Sequence, residues 1–429
     1  MSNFNLKNTR SFQKHPSWLV FLVIFPVLYF LAITHSFAAA KTNLPLTLQE
    51  AEVLSLQMRL KTQTADGNDK ITGQVPDTSE NSSNSKMTFG VENVLVNTAP
   101  INQGDNTIFK IGFQQKIPSA DIYGFQTEQA QALSSLAFKK QRGQVRSLHR
   151  TVRNLWLDLY YWTQALEDLQ ATQLLFTHLI DNASSAAKPE ISIHILPNLT
   201  QLANQQDFVQ GQIVGVRKQL GSLVGQDNTS RPLPPSLPNW PTPPTLARLQ
   251  KNLSQHPKLQ EDTATIQAIR AGASLVKEKN KSSFGIGASY GVRQNEFMGG
   301  DPKPDTFSAE LKFHLSSNAE QQQNKVTRAN VAALEAAQLK QEEDYRQLSA
   351  DLIRNYGDWQ KYQQEIVTLN TQQANIDQQS AYALEAYQTN HRKINLLINA
   401  YRAQLQLQLN KLRAEVNQAQ ARVNLMYFE

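Results

Sequence analysis

The stretch Phe284-Gly285-Ile286-Gly287-Ala288-Ser289-Tyr290-Gly291-Val292-Arg293 is answered, after a loop, by Phe307-Ser308-Ala309-Glu310-Leu311-Lys312-Phe313-His314-Leu315-Ser316. In the first segment Phe284, Ile286, Ala288, Tyr290 and Val292 alternate with Gly285, Gly287, Ser289, Gly291 and Arg293. The second repeats the pattern, with Phe307, Ala309, Leu311, Phe313 and Leu315 on one side and Ser308, Glu310, Lys312, His314 and Ser316 on the other. A period of two puts the apolar and the polar sets on opposite faces of a strand. Asn295 to Asp305, with Gly299-Gly300-Asp301-Pro302, reads as a long hairpin loop. The same motif stands earlier in the chain in looser form: Met87, Phe89, Val91 and Leu95 share a face, and Thr107, Phe109, Ile111, Phe113 and Ile117 alternate with Lys110, Gly112, Gln114 and Lys116.

The expected strands cover about 86–97, 106–118, 282–294 and 305–317. Their length suits tilted strands that cross a bilayer, apolar side chains to lipid and polar ones to a wet lumen. A soluble sheet packed on one face has the same alternation and stays as the alternative. Four strands are too few to close a barrel, and hydrocarbon does not tolerate an open edge, so membrane strands would need several copies. Three chains would supply twelve. The polar-face residues Lys110, Lys116, Arg293, Glu310, Lys312 and His314 are then candidates to line the lumen.

Outward from the strands the period changes to that of helices. Val145, Leu148, Val152, Leu155, Leu159, Trp162, Leu166, Leu169, Gln173, Phe176 and Ile180 keep a spacing of three and four, the seam of a coiled coil. The last helix has Ile394, Ile398, Tyr401, Leu405, Leu409, Leu412, Val416, Ala419, Val423 and Met426, with one four-residue stutter that unwinds a supercoil locally. Tyr345, Leu348, Leu352, Trp359, Tyr362, Ile366, Leu369 and Ile376 form a seam in between. Long helices are expected over about 119–183 and 318–388, return helices over about 191–225 and 391–428, and opening helices over about 46–72 and 246–280. The long pair would span roughly 95 and 105 Å, three times the depth of a membrane. Rich in Gln, Asn, Lys and Glu, they belong in water. Their lengths allow the opening and return helices of each half to stack end to end beside the long one.

Two halves of similar order, 41–230 and 245–429, flank a connector over 231–244 that contains seven prolines and can be neither helix nor central strand. This indicates a duplicated unit. Ahead of the first half, Lys7, Arg10 and Lys14 precede an apolar run from Leu19 to Ile33 and a small-residue end at Ala38-Ala39-Ala40. Residues 1–40 therefore read as a cleaved secretory signal, with a retained anchor as the alternative.

Composition narrows the function classes. A mean hydropathy of −0.46 is too low for a bundle of membrane helices. No Cys among 429 residues excludes disulfides, thiolate metal sites, a Cys nucleophile and a lipid-bearing Cys. Removing the three bases of the signal leaves 39 bases against 36 acids, no electrostatic footprint for nucleic acid.

The chain resembles the TolC-like family of outer-membrane efflux proteins over essentially all of 41–429. Leu46-Thr47-Leu48-Gln49-Glu50-Ala51 is similar to the family's Leu-Thr-Leu-x-Glu-Ala opening, and Asn252-Leu253-Ser254-Gln255-His256-Pro257-Lys258-Leu259 to its second-half counterpart. Ala386-Tyr387-Gln388-Thr389-Asn390 and Ile398-Asn399-Ala400-Tyr401-Arg402 resemble its Tyr-x-x-Gly turn and Leu-Asp-Ala-Gln-Arg helix. Gly73-Gln74-Val75-Pro76-Asp77 before Phe89-Gly90-Val91-Glu92-Asn93 is similar to a branch associated with heavy-metal or cation efflux. The resemblance implies a mixed α+β, mostly α fold. It further implies a homotrimeric twelve-stranded outer-membrane β-barrel, four strands per chain, continuous with an α-helical coiled-coil barrel in the periplasm. It also implies a periplasmic adaptor, an inner-membrane transporter of the RND type and outer-membrane lipid as partners, with Lys188, Glu190, Asn390, His391, Arg392 and Lys393 at the periplasmic tip. Asn390 replaces the turn glycine, and Lys393 and Asn399 stand where acids are frequent, so an acidic gate is not carried by this sequence.

No catalytic chemistry, cofactor or metal site is expected. Gly287-Ala288-Ser289-Tyr290-Gly291 spells G-x-S-x-G, but a nucleophile elbow needs a strand-to-helix turn and this lies within a strand. His391 has no second ligand three or four residues on. The leading expectation is a passive exit duct. A type I secretion channel, a coiled-coil adhesion or scaffold protein and, more remotely, a secreted serine hydrolase are the alternatives.

Overall fold

The computed structural model describes residues 44–65, 85–93, 107–117, 122–185, 189–279, 281, 283–293, 304–314, 319–389 and 393–429. Its elements run α1 (Leu48–Ala65), β1 (Ser85–Glu92), β2 (Ile108–Ile117), α2 (Ile122–Ser185), α3 (Pro189–Val224), α4 (Gln226–Thr229), α5 (Leu246–Asn252), α6 (Pro257–Lys279), β3 (Ser283–Arg293), β4 (Thr306–His314), α7 (Ala319–Thr389) and α8 (Ile394–Met426). The expected signal, 66–72 of the first opening helix, Leu95, residues 315–317 and nearly all of the loop before β4 lie outside the described residues.

α2 and α7 run for 64 and 71 residues without a proline, so nothing interrupts their backbone ladders. At 1.5 Å per residue they are about 96 and 107 Å long. The shorter helices lie end to end beside them. Arg153 Nε donates to Glu52 and Gln206 Nε2 to Gln173 Oε1 at 2.8 Å, placing α1 and α3 along successive parts of α2. Gln341 Nε2 donates to Thr263 Oγ1 at 2.8 Å, while Leu407 and Ala414 pack with Leu369, placing α6 and α8 along successive parts of α7.

α6 and α8 also pack on α2. At every level the chain is therefore a wall of four helices, ordered α1 or α3, α2, α6 or α8, α7. The sheet has the matching order β1-β2-β3-β4, antiparallel throughout. One flank ends in β1 above α1 and α3, the other in β4 above α7.

The opening helix expected over 246–280 is two helices. Pro257 has no N–H to give a helix ladder, and here the residue before it leaves the helical region: His256 has φ −60°, ψ 135°. A turn of 3-10 helix, Leu253–Gln255, closes α5 and α6 begins at Pro257. A second correction concerns packing. Tyr345, expected in the α7 seam, is exposed, whereas Leu348 and Leu352 are buried. In α2 the expected seam residues Val152, Leu159, Leu169 and Phe176 are buried, and so are Trp156, Leu157 and Tyr160 outside that seam. α2 has neighbours on both sides, so one stripe does not cover its core.

Candidate functional site

The register sorts the strand residues into two faces. Met87, Phe89 and Val91 lie opposite Phe113, Ile111 and Phe109. These continue through Tyr290, Ile286 and Phe284 to Phe307, Leu311 and Phe313. All twelve side chains are exposed, Phe89 at 74% and Phe307 at 73%. A contiguous apolar surface of this extent needs a non-aqueous neighbour. The two polar side chains on it, Ser85 and Gln115, satisfy each other by a hydrogen bond.

The opposite face holds the polar residues and the glycines. Lys110, Lys116, Glu310 and Lys312 lie on it, opposite Gly90 and Gly291, Gly285, Gly287, and Gly285 respectively. Arg293 shares it, opposite Ile108. His314 pairs with Ser283 at the end of β4. Lys110 Nζ lies 2.9 Å from Glu92 Oε1, and Lys312 Nζ 3.1 Å from Glu310 Oε2. The glycines relieve crowding where neighbouring side chains lean over the backbone. A Cβ at Gly112 would stand 2.7 Å from Thr88 Oγ1, and one at Gly291 2.6 Å from Ile108 Cγ2 and 2.7 Å from Thr306 Oγ1. Crowding of the polar face beside a splayed apolar face is the geometry of a sheet curved with its polar side inward.

At the far end of the helices the chain turns twice. Phe176, nine residues before the end of α2, has its ring centroid 6.3 Å from that of Tyr401, seven residues into α8, so both turns lie at the same end. Lys393 is exposed as the N-cap of α8, and Glu190 lies in the first turn of α3. Lys188, Asn390, His391 and Arg392 lie outside the described residues.

Between these ends lie two joints that sequence reasoning missed. At the first, the Arg231 guanidinium donates to both carboxylate oxygens of Glu50 at 2.9 Å, to Leu44 O at 2.8 Å and to Pro45 O at 3.2 Å. A planar fork that meets a carboxylate and two carbonyls ties the connector to the start of α1. Trp156 Nε1 donates to Leu46 O at 2.9 Å, stacks on Tyr160, and the Tyr160 hydroxyl donates to Pro235 O at 3.2 Å. At the second joint, Arg422 Nε donates to Pro241 O at 2.8 Å, and His256 fits between α6 and the end of α8. Its Nδ1 accepts from Lys258 N at 3.2 Å and its Nε2 donates to Tyr427 O at 3.1 Å, which uses both ring nitrogens of the neutral form. Burial, and then the nearby Arg146 guanidinium, lower its pKa to about 4. The signals for these joints were placement, since Arg231 opens the proline run and His256 precedes Pro257, and the motifs around Glu50 and His256.

Ser289 lies inside β3 between Gly112 and Ser308, and positive φ occurs among the described residues only at Asn93 and Gly225, so there is no elbow at the G-x-S-x-G letters. Among the described residues no cluster of His, Cys, Asp or Glu could hold a metal, and no helix is long and apolar enough to cross a membrane.

The fold is that of known channels. The chain is similar to the outer-membrane channel OprN over 89% of each chain, with a TM-score of 0.69 and 13% identity. It is similar to the CmeC outer membrane channel of Campylobacter jejuni over 89% of this chain and 85% of that one, with a TM-score of 0.67 and 12% identity. For CusC the coverage is 88% and 91%, the TM-score 0.61 and the identity 12%. No family model matches the chain. No curated protein matches its sequence. At these identities the likeness is one of fold.

Proposed function

We propose that this chain, which has the fold of outer-membrane efflux channels, is one stave of a homotrimeric exit duct. The duct would cross the outer membrane as a twelve-stranded barrel and continue through the periplasm as a tube of helices. One observation carries the reading: the four-stranded sheet and the four-helix wall have the same lateral order and end in unlike, unpartnered flanks. A body with two different edges closes only head to tail, by rotation into a ring. The exposed apolar residues of α7 fit such a contact: Leu339, Ile353 and Val367 recur at fourteen-residue steps, two heptads each. The apolar sheet face then meets lipid, and the polar face surrounds water.

Such a duct does no chemistry. Energy comes from an inner-membrane transporter, an RND-type pump being the expected one, linked to the helix tips by a periplasmic adaptor. Outer membranes extracted with detergent should yield heat-modifiable trimers of this chain. A monomer that stays soluble without detergent would overturn the duct and favour the scaffold alternative. Metal, drug and secretion phenotypes of a deletion strain identify the cargo.

A further inference from the structure

All the charged residues of the described strands lie on the polar face: Lys86, Lys110, Lys116, Arg293 and Lys312 against Glu92 and Glu310. The surplus is three positive charges per chain. It equals the whole formal surplus of residues 41–429, which carry 39 bases and 36 acids. Both acids are already engaged, Glu92 by Lys110 and Glu310 by Lys312. Lys86, Lys116 and Arg293 form no ion pair among the described residues. Two of the three surplus charges fall at one level: Lys116 and Lys312 flank Gly285 in a single row across β2, β3 and β4, and Lys86 stands one row away, opposite Gln114, in the row that ends at Glu310. That level adjoins the helices, since Ile117 is followed by α2 at Ile122.

We propose that this belt makes the barrel lumen prefer anions, so that the duct serves negatively charged solutes better than cationic ones. The inference rests on the duct reading above, which makes the polar face a lumen wall. Twelve strands about 4.8 Å apart and tilted by about 40° enclose a cylinder of roughly 12 Å backbone radius. A Debye length of about 10 Å at 0.1 M salt reaches most of the way to the axis, one of about 30 Å at 0.01 M fills the lumen, and one of about 3 Å at 1 M does not. Three copies of a level that keeps two net positive charges per chain therefore act on every passing ion at low salt and on few at high salt.

The test is single-channel recording of the purified full-length trimer in neutral planar bilayers, with tenfold KCl gradients. The reversal potential should correspond to an anion-to-cation permeability ratio of roughly threefold or more near 0.01–0.1 M, falling towards one near 1 M. The triple variant Lys86→Gln, Lys116→Gln, Lys312→Gln should bring the low-salt ratio close to one, whereas Lys116→Arg with Lys312→Arg should keep it. Discrete conductance steps without anion preference at low salt, or a preference unmoved by the triple variant, overturn the belt and leave the duct standing. Absence of both trimers and conductance overturns the duct, and the belt with it.

Discussion

Arg231 and His256 carry the two joints at which short helices meet end to end. Arg231 is buried and holds the Glu50 carboxylate by two hydrogen bonds and the Leu44 and Pro45 carbonyls by one each, so removing the guanidinium takes the fork away from all three. Arg231→Met should cost about 3 kcal/mol of local stability, in the range for breaking a buried pair on one side. Limited proteolysis of the connector over 231–244 would register this as faster cleavage, and an unchanged rate would remove Arg231 from its role. His256 is neutral in the fold, at the N-terminus of α6, where a positive charge is disfavoured. Its pKa falls from 6.5 to about 4, so the unfolded chain takes up the proton first as pH falls. Stability is complete above pH 6.5 and declines by about 3 kcal/mol as pH falls to about 4. Thermal unfolding followed across that window should lose part of its slope in His256→Gln. The family-like motifs around Glu50 and His256 were readable in the sequence, but their partners Arg231 and Tyr427 lie some 180 and 171 residues away. No local pattern links them.

Strands and helices were legible to different degrees. Strict alternation in β3 and β4 foretold both the strands and their two faces, because side-chain period and burial follow from pleat alone. The same alternation could not tell why glycines recur on one face. Pairing across β2, β3 and β4 brings Thr306 and Ile108 onto Gly291, and Gly291→Val should therefore disrupt assembly of the sheet. The measurable outcome is loss of heat-modifiable species, with Gly90→Val as the contrast, since a Cβ at Gly90 meets nothing within 4 Å. In α2 the heptad seam identified one buried stripe and missed Trp156 and Tyr160, because periodicity reports one partner and this helix has neighbours on both sides. The break before α6 was also written in the sequence, as Pro257, although a single opening helix was expected to run through it over 246–280.

For the whole molecule, the unlike flanks predict the assembly. The chain has no cysteine of its own, so introduced ones report cleanly. A series of single cysteines along β1, each combined with Ser308→Cys on β4, should give cross-linked ladders that end at three chains. A ladder that runs past three, or none at any position along β1, would contradict closure by three copies. The sequence by itself determined the strands, their facing, the lengths of the long helices and the absence of thiol chemistry, since each depends on residue type at a short, regular spacing. Tertiary structure alone decided which short helix lines which long one, that sheet and wall share one lateral order, and where Arg231 and His256 find their partners. Those contacts join residues far apart in the chain, where nothing in local spacing restricts the pairing.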